Sequence, residues 1–380
     1  MIQLLYRRLT AASLCTGVLL VLVLVDRLHA PWATLGFLLG ALLGRERLAD
    51  TWLLLTGRLA GVRFLIVRYG RGRLLWDGRI AGVPVEIGLW PNSLYLYFAL
   101  VPGPALRLRL WLSSACYFGV HAGLGGWLAL SADGLGRGVG IGLLLTVVLR
   151  LPRPDTSPLV SGWALLVMPF RADWLGQHLW KPEAVQADRL LSTGRIAEAR
   201  ALLEGLEPGE YPLAHLTPAG LALVEGRYEE AEQIAADVAD RGYAFHTAHL
   251  LIGMAFIGRA DSGEFSPERA GALLDPFLVR LGIDDRKLYR DFLPTADVAR
   301  FQNDPETAVR VARRLSTMAG SRMWRAQACC SLAAALIATR RPDEAGKALA
   351  RARKQCPGMV RISDVERMLE QPVGARPVRG

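Results

Sequence analysis

The chain of 380 residues is 52% hydrophobic and 21% charged, with a mean hydropathy of +0.24. That balance excludes intrinsic disorder, and five cysteines without CxxC spacing exclude a disulfide scaffold and a cysteine-built zinc site. The net charge of +10 comes from 45 Lys+Arg against 35 Asp+Glu, but only four of the basic residues are lysines. This Arg/Ala/Leu/Gly-rich usage resembles the codon bias of a high-GC bacterium, so no nucleic-acid partner is expected.

In chain order, the first feature is the uncharged apolar run Leu9–Val25, preceded by Arg7 and Arg8. Its 17 residues are about the minimum needed to cross a bilayer, and no small-x-small cleavage site follows at once, so it reads as an uncleaved anchor. Three further apolar stretches, at about 31–44, 110–130 and 135–149, are expected to complete a four-span membrane domain over residues 1–170. Arginines crowd the segment between the second and third stretches, whereas the turn Ser131–Gly136 carries only Asp133. The positive-inside rule then predicts a multi-pass protein of the cell membrane with both termini cytoplasmic and a lipid bilayer as partner. Within the arginine-rich stretch, residues 62–98 alternate β-branched and aromatic runs with Gly-Arg-Gly, Asp-Gly and Pro-Asn. They predict small β-hairpins at the membrane face.

A linker is expected over 171–182, after which the sequence turns to Ala/Leu/Glu/Arg at helical period. Gly194-Arg195-Ile196-Ala197-Glu198-Ala199 and Gly226-Arg227-Tyr228-Glu229-Glu230-Ala231 repeat one pattern 32 residues apart. Pro342-Asp343-Glu344-Ala345, closed by Pro357, is a third copy, and weaker copies centre on Ala270 and Ala308. Small residues at these positions allow paired helices to pack closely. The pattern resembles the tetratricopeptide repeat family, which implies an α-solenoid of about five helix pairs over 183–357 that binds peptides or proteins and carries no chemistry. A basic tail is expected over 358–380, and Arg351, Arg353, Lys354 and Arg361 read as a solvated basic end. Helix Arg322–Ala338 is expected to face the partner, with Arg322, Trp324 and Arg325 suited to an acidic or aromatic peptide; otherwise Trp324 fills the core.

No phosphate-binding loop, dinucleotide fingerprint, GxSxG or HExxH occurs, and His246 and His249 lack nearby acids, so no cofactor is expected. His121, inside the third apolar stretch, reads as a hydrogen-bonded histidine. The order of elements in the first half, with the stretch Gly57-Arg58-Leu59-Ala60-Gly61-Val62-Arg63, resembles the site-2 protease family of intramembrane zinc metalloproteases. By that resemblance the HExxH positions hold Ala49, Asp50, Thr51, Trp52 and Leu53, and Ser161 stands where the third zinc ligand would be. Both histidines are replaced, and without zinc there is no activated water. The fold expected is therefore mainly α: a polytopic helical membrane domain with a β-hairpin insertion, then the repeat solenoid. The function expected is a non-catalytic membrane protein that displays a cytoplasmic scaffold to an unknown protein partner. The alternatives are an active protease with atypical ligands and a membrane-anchored repeat protein without protease ancestry.

Overall fold

The computed structural model describes residues 31–44, 48–151, 162–166, 168–170, 175, 179–206, 212–241, 245–280 and 293–370. The chain is mostly helical and divides into two compact units. The first unit comprises residues 1–63 and 100–176, and the second comprises 64–99 and 177–380, so the chain leaves the first unit to build part of the second and then returns.

In the first unit, α1 (Pro31–Leu42) packs on α4 (Gly134–Arg150), which also packs on α3 (Leu106–Ser131); α2 (Leu48–Thr56) and the short α5 (Gly162–Leu166) pack on α3. Glycine sets these contacts. A Cβ on Gly36 would lie 2.1 Å from the Leu135 carbonyl oxygen, and one on Gly138 would lie 1.9 Å from that of Ala33. The two backbones therefore touch, as only glycine allows. Leucine and tryptophan point the other way: Trp32, Leu38, Leu42, Trp127 and Leu130 are all exposed.

These helices correct the membrane expectation. No helix among the described residues is long and apolar enough to cross a membrane. Helices α1 and α4 have 12 and 17 residues, short of the roughly 20 that a bilayer core requires. Helix α3 has 26 residues, but Ser113, Ser114, Tyr117, His121 and its glycines dilute its apolar character. The expected spans at 31–44, 110–130 and 135–149 are thus not supported, nor is a multi-pass protein of the cell membrane with both termini on the cytoplasmic side. The run Leu9–Val25 lies outside the described residues.

In the second unit, strands β1 (Val62–Ile80) and β2 (Val83–Leu100) pair with each other, with residues from 64 to 99 belonging to this unit. Several small hairpins were expected; one long hairpin is found. Gly-Arg-Gly, Asp-Gly and Pro-Asn lie inside its strands, and the chain reverses at Ala81 and Gly82, whose φ of 49° and 78° match the mirror-image turn that strand twist favours.

The helices of this unit come in pairs: α6 (Pro182–Ser192) with α7 (Ile196–Leu203), α8 (Leu216–Val224) with α9 (Tyr228–Asp240), and α10 (Phe245–Ser262) with α11 (Pro267–Arg280). Next come α12 (Pro294–Phe301) with α13 (Pro305–Met318), then α14 (Arg322–Ala338) with α15 (Pro342–Gln355). The first helices of successive pairs also pack on one another, and the row curls until α14 meets α6. Ala199, Ala231, Ala270, Ala308 and Ala345 are fully buried on the second helices, where a larger side chain would push the pair apart. Each turn between paired helices has one left-handed residue: Gly194, Gly226, Gly263, Asn303 or Arg340. The next amide in each donates back to a carbonyl of the first helix at 2.9 Å, as Arg195 does to Leu190 and Arg341 to Leu336. Within the expected basic tail of 358–380, α16 (Val360–Glu370) is a helix that packs on α10, α14 and α15, and 371–380 lie outside the described residues.

Arg340 holds its φ of 59° with a side chain attached, whereas glycine takes that conformation without steric cost. Arg340→Gly is expected to stabilise the fold by about 1 kcal/mol, raising Tm by roughly 2–4 °C in a thermal melt. A fall in Tm would show that the exposed arginine contributes more than its backbone costs.

Candidate functional site

Helix α16 packs against α10, α14 and α15, and charged side chains of α10 and α12 hold it there. Arg361 is fully buried. Its Nε donates to Asp261 Oδ2 of α10 at 2.9 Å, its Nη2 to both oxygens of Asp297 of α12 at 3.3 and 3.2 Å, and its Nη1 to Gln327 Oε1 of α14 at 3.1 Å. Arg300 supplies the second cation, donating to Asp261 Oδ1 at 2.7 Å and Asp297 Oδ1 at 2.9 Å. Two guanidiniums and two carboxylates thus form a neutral buried cluster, and Ser331 donates a further bond to Asp297. Burial alone would raise the Asp261 carboxyl, but Arg300 and then Arg361 hold it below its ordinary value. Burial likewise disfavours the Arg361 charge, and Asp297 and Asp261 overcome that, leaving its pKa above the ordinary value. Three residues on, Asp364 accepts from the Tyr228 hydroxyl of α9 at 2.7 Å.

Arg361 was expected on a solvated basic end. Its place is the opposite, because in Val360–Glu370 it sits on the same helical face as Ile362, Val365 and Met368, all buried. Arg351, Arg353 and Lys354 are exposed on α15.

A second charged cluster seats the hairpin on the helices of its unit. Arg325 of α14 makes a two-pronged pair with Glu86 of β2, both bonds 2.7 Å, with both side chains about 4% exposed. Arg68 of β1 lies 3.9 Å from the same carboxylate and donates to the Ala319 and Thr317 carbonyl oxygens at 2.6 and 2.9 Å. Those carbonyls end α13, where the helix dipole favours a cation. Burial, and after it the neighbouring Arg325 charge, lowers the Arg68 pKa to about 10 despite Glu86. Arg322 pairs with Asp77. Of the three residues expected to face a partner, two guanidiniums are therefore engaged by the chain's own hairpin. The third, Trp324, packs against the helical core.

Asp188 of α6 faces the hairpin as well. Burial pushes its carboxyl up to about 7, although the hydrogen bond from Tyr97 works against that rise. The second oxygen, Oδ2, is buried without a hydrogen-bond partner.

In the first unit, Ala49 and Leu53 are buried apolar residues of α2, Asp50 is half-buried there, and Ser161 lies outside the described residues. Trp52 donates to the Ser113 hydroxyl at 3.2 Å and packs edge-on to Tyr117 and His121. His121 Nδ1 meets the Tyr117 carbonyl oxygen at 2.6 Å, the backbone bond expected of it. Burial lowers its pKa below the ordinary value, although the backbone bond to Tyr117 works against that. In the second unit His249 is buried on α10, and the His246 side chain is outside the described residues.

Sequence reasoning missed Asp261, Asp297, Asp364 and Glu86. The available signal was a charge recurring on the apolar face of a helix or strand, as in Ile362–Asp364–Val365. No family model, curated protein or solved structure matches the chain.

Glu86→Ala is expected to destabilise the chain by about 3–5 kcal/mol in urea, because it leaves Arg325 buried and unpaired. Replacing both residues by leucine should recover most of that loss; a double variant as unstable as the single one would refute the pairing.

Asp188 gives a pH dependence of defined sign. Its carboxyl keeps a proton to about pH 7 when folded but releases it near 3.8 when unfolded. Its contribution to stability is thus fully present below about pH 4 and is lost as pH rises to about 7. Asp188→Asn should therefore gain stability over the native chain progressively across that window and hold a constant gain above it. Equal stabilities at pH 4 and 8 would rule this out.

Proposed function

We propose that the chain is a non-catalytic scaffold whose helical unit binds a protein partner. The observation that carries this reading is the inner groove itself. The inner face of the helix pairs already holds a helix, α16, through side chains of α9, α10, α12 and α14. The buried alanines and the recurring left-handed turn residue support a tetratricopeptide-like array. In the same reading the first unit is site-2-protease-like, with apolar Ala49 and Leu53 where zinc-binding histidines would stand. A saturated, neutral cluster such as Arg361–Asp261–Asp297–Arg300 suits recognition, since none of its carboxylates is left as a base.

The test is cross-linking of the full chain in its source cells, combined with metal analysis of the purified protein. A single partner cross-linked mainly to residues 182–370, with zinc well below one per chain, is the expected result. One tightly held zinc per chain, together with peptide cleavage abolished by a chelator, would overturn the scaffold reading.

A further inference from the structure

The groove is occupied in a specific way, and the occupant identifies what else would fit. Helix α16 enters as an amphipathic segment with Ile362, Val365 and Met368 toward the array. Its two polar anchors stand three residues apart on that same face. Arg361 completes the charge of Asp261 and Asp297, which Arg300 alone would leave one positive charge short. Asp364 satisfies the buried hydroxyl of Tyr228, a residue in the turn region that recurs through the array. The amide of Gln327 completes the fit: its oxygen accepts from Arg361, while its nitrogen is buried without a partner. The groove thus carries a recognition pattern for one helix, with a slot for a guanidinium followed at i+3 by a slot for a carboxylate.

We propose that the inner groove is a binding site for a helix of a partner protein bearing Arg-x-x-Asp on its apolar face, and that α16 is the resident occupant such a helix displaces. This rests on the scaffold reading and adds the chemistry of the partner and the means of its regulation. Because α16 is tethered, it competes at an effective concentration of roughly millimolar. The free groove is consequently a minor state, and the apparent affinity for a partner falls by the free fraction. Helix α16 therefore acts as a built-in brake on binding.

The experiment uses the full chain with Arg361→Ala and Asp364→Ala together, which removes both anchors but keeps the tether. A labelled peptide of residues 359–370 is titrated against it and against the native chain by fluorescence anisotropy, with helicity checked by circular dichroism. The peptide should bind the variant about tenfold tighter or more, reflecting the larger free fraction. A peptide in which Arg361 is also replaced by alanine should show no such gain. A variant of native helicity that gains nothing would overturn the proposal. So would one that doubles its mass by light scattering, since the occupant would then be a second copy. Amide hydrogen exchange on the native chain reads the same equilibrium without a substitution. Exchange of α16 ahead of α14 supports displacement, and exchange of both only on global unfolding overturns it. Failure here leaves the scaffold reading standing if cross-links still reach a partner through the outer helices.

Discussion

An arginine can leave water only in company, and the second unit is organised by that constraint. Removing a guanidinium from solvent costs several kcal/mol unless a carboxylate or a set of carbonyls replaces the water. The unit does this twice. Glu86 neutralises Arg325 while carbonyls at the end of α13 take up Arg68, and this seats the hairpin. Asp261 and Asp297 share Arg300 and Arg361, and this seats α16. In both places the apolar packing is generic and the charges select the register, because a shift of one residue would strand a buried ion.

The two units solve close packing by different means. In the first, glycines such as Gly36 and Gly138 bring backbones into contact, and the large apolar side chains are turned outward. In the second, alanine fills the interface between paired helices, and the large residues, Leu191, Leu223, Met254 and Ile257, face inward. The first unit therefore keeps its largest apolar side chains outside its helix contacts.

Part of this was legible from the residues. Gly194 and Gly226 mark helix ends because a left-handed residue closes each pair, and the small residues after them mark the second helix. Asn303 does the same with a residue that tolerates that conformation, whereas Arg340 does it with a side chain that usually avoids it, so that turn carried no sign. Hydropathy misled in the first half, where apolar stretches without sufficient length or purity read as spans. The candidate site was the least legible. Arg361 reads as solvated when charge is equated with exposure, and Arg325 reads as available for a partner because Glu86 lies 239 residues earlier. Periodicity finds faces; it does not find which distant element covers them.

That separation has a consequence for biosynthesis. Ribosomes deliver residues in order, at about 5–20 per second, so Glu86 emerges some tens of seconds before Arg325. Over that interval the hairpin carries Arg68 beside Glu86 but not the two-pronged partner Arg325. Asp261 and Asp297 meet Arg300 soon after synthesis, yet Arg361 follows Asp261 by 100 residues. The helix pairs can therefore stack vectorially while their charged interior stays incomplete. A nascent chain stalled between Arg325 and Arg361 would hold Asp261 and Asp297 with Arg300 alone, one positive charge short of the finished cluster.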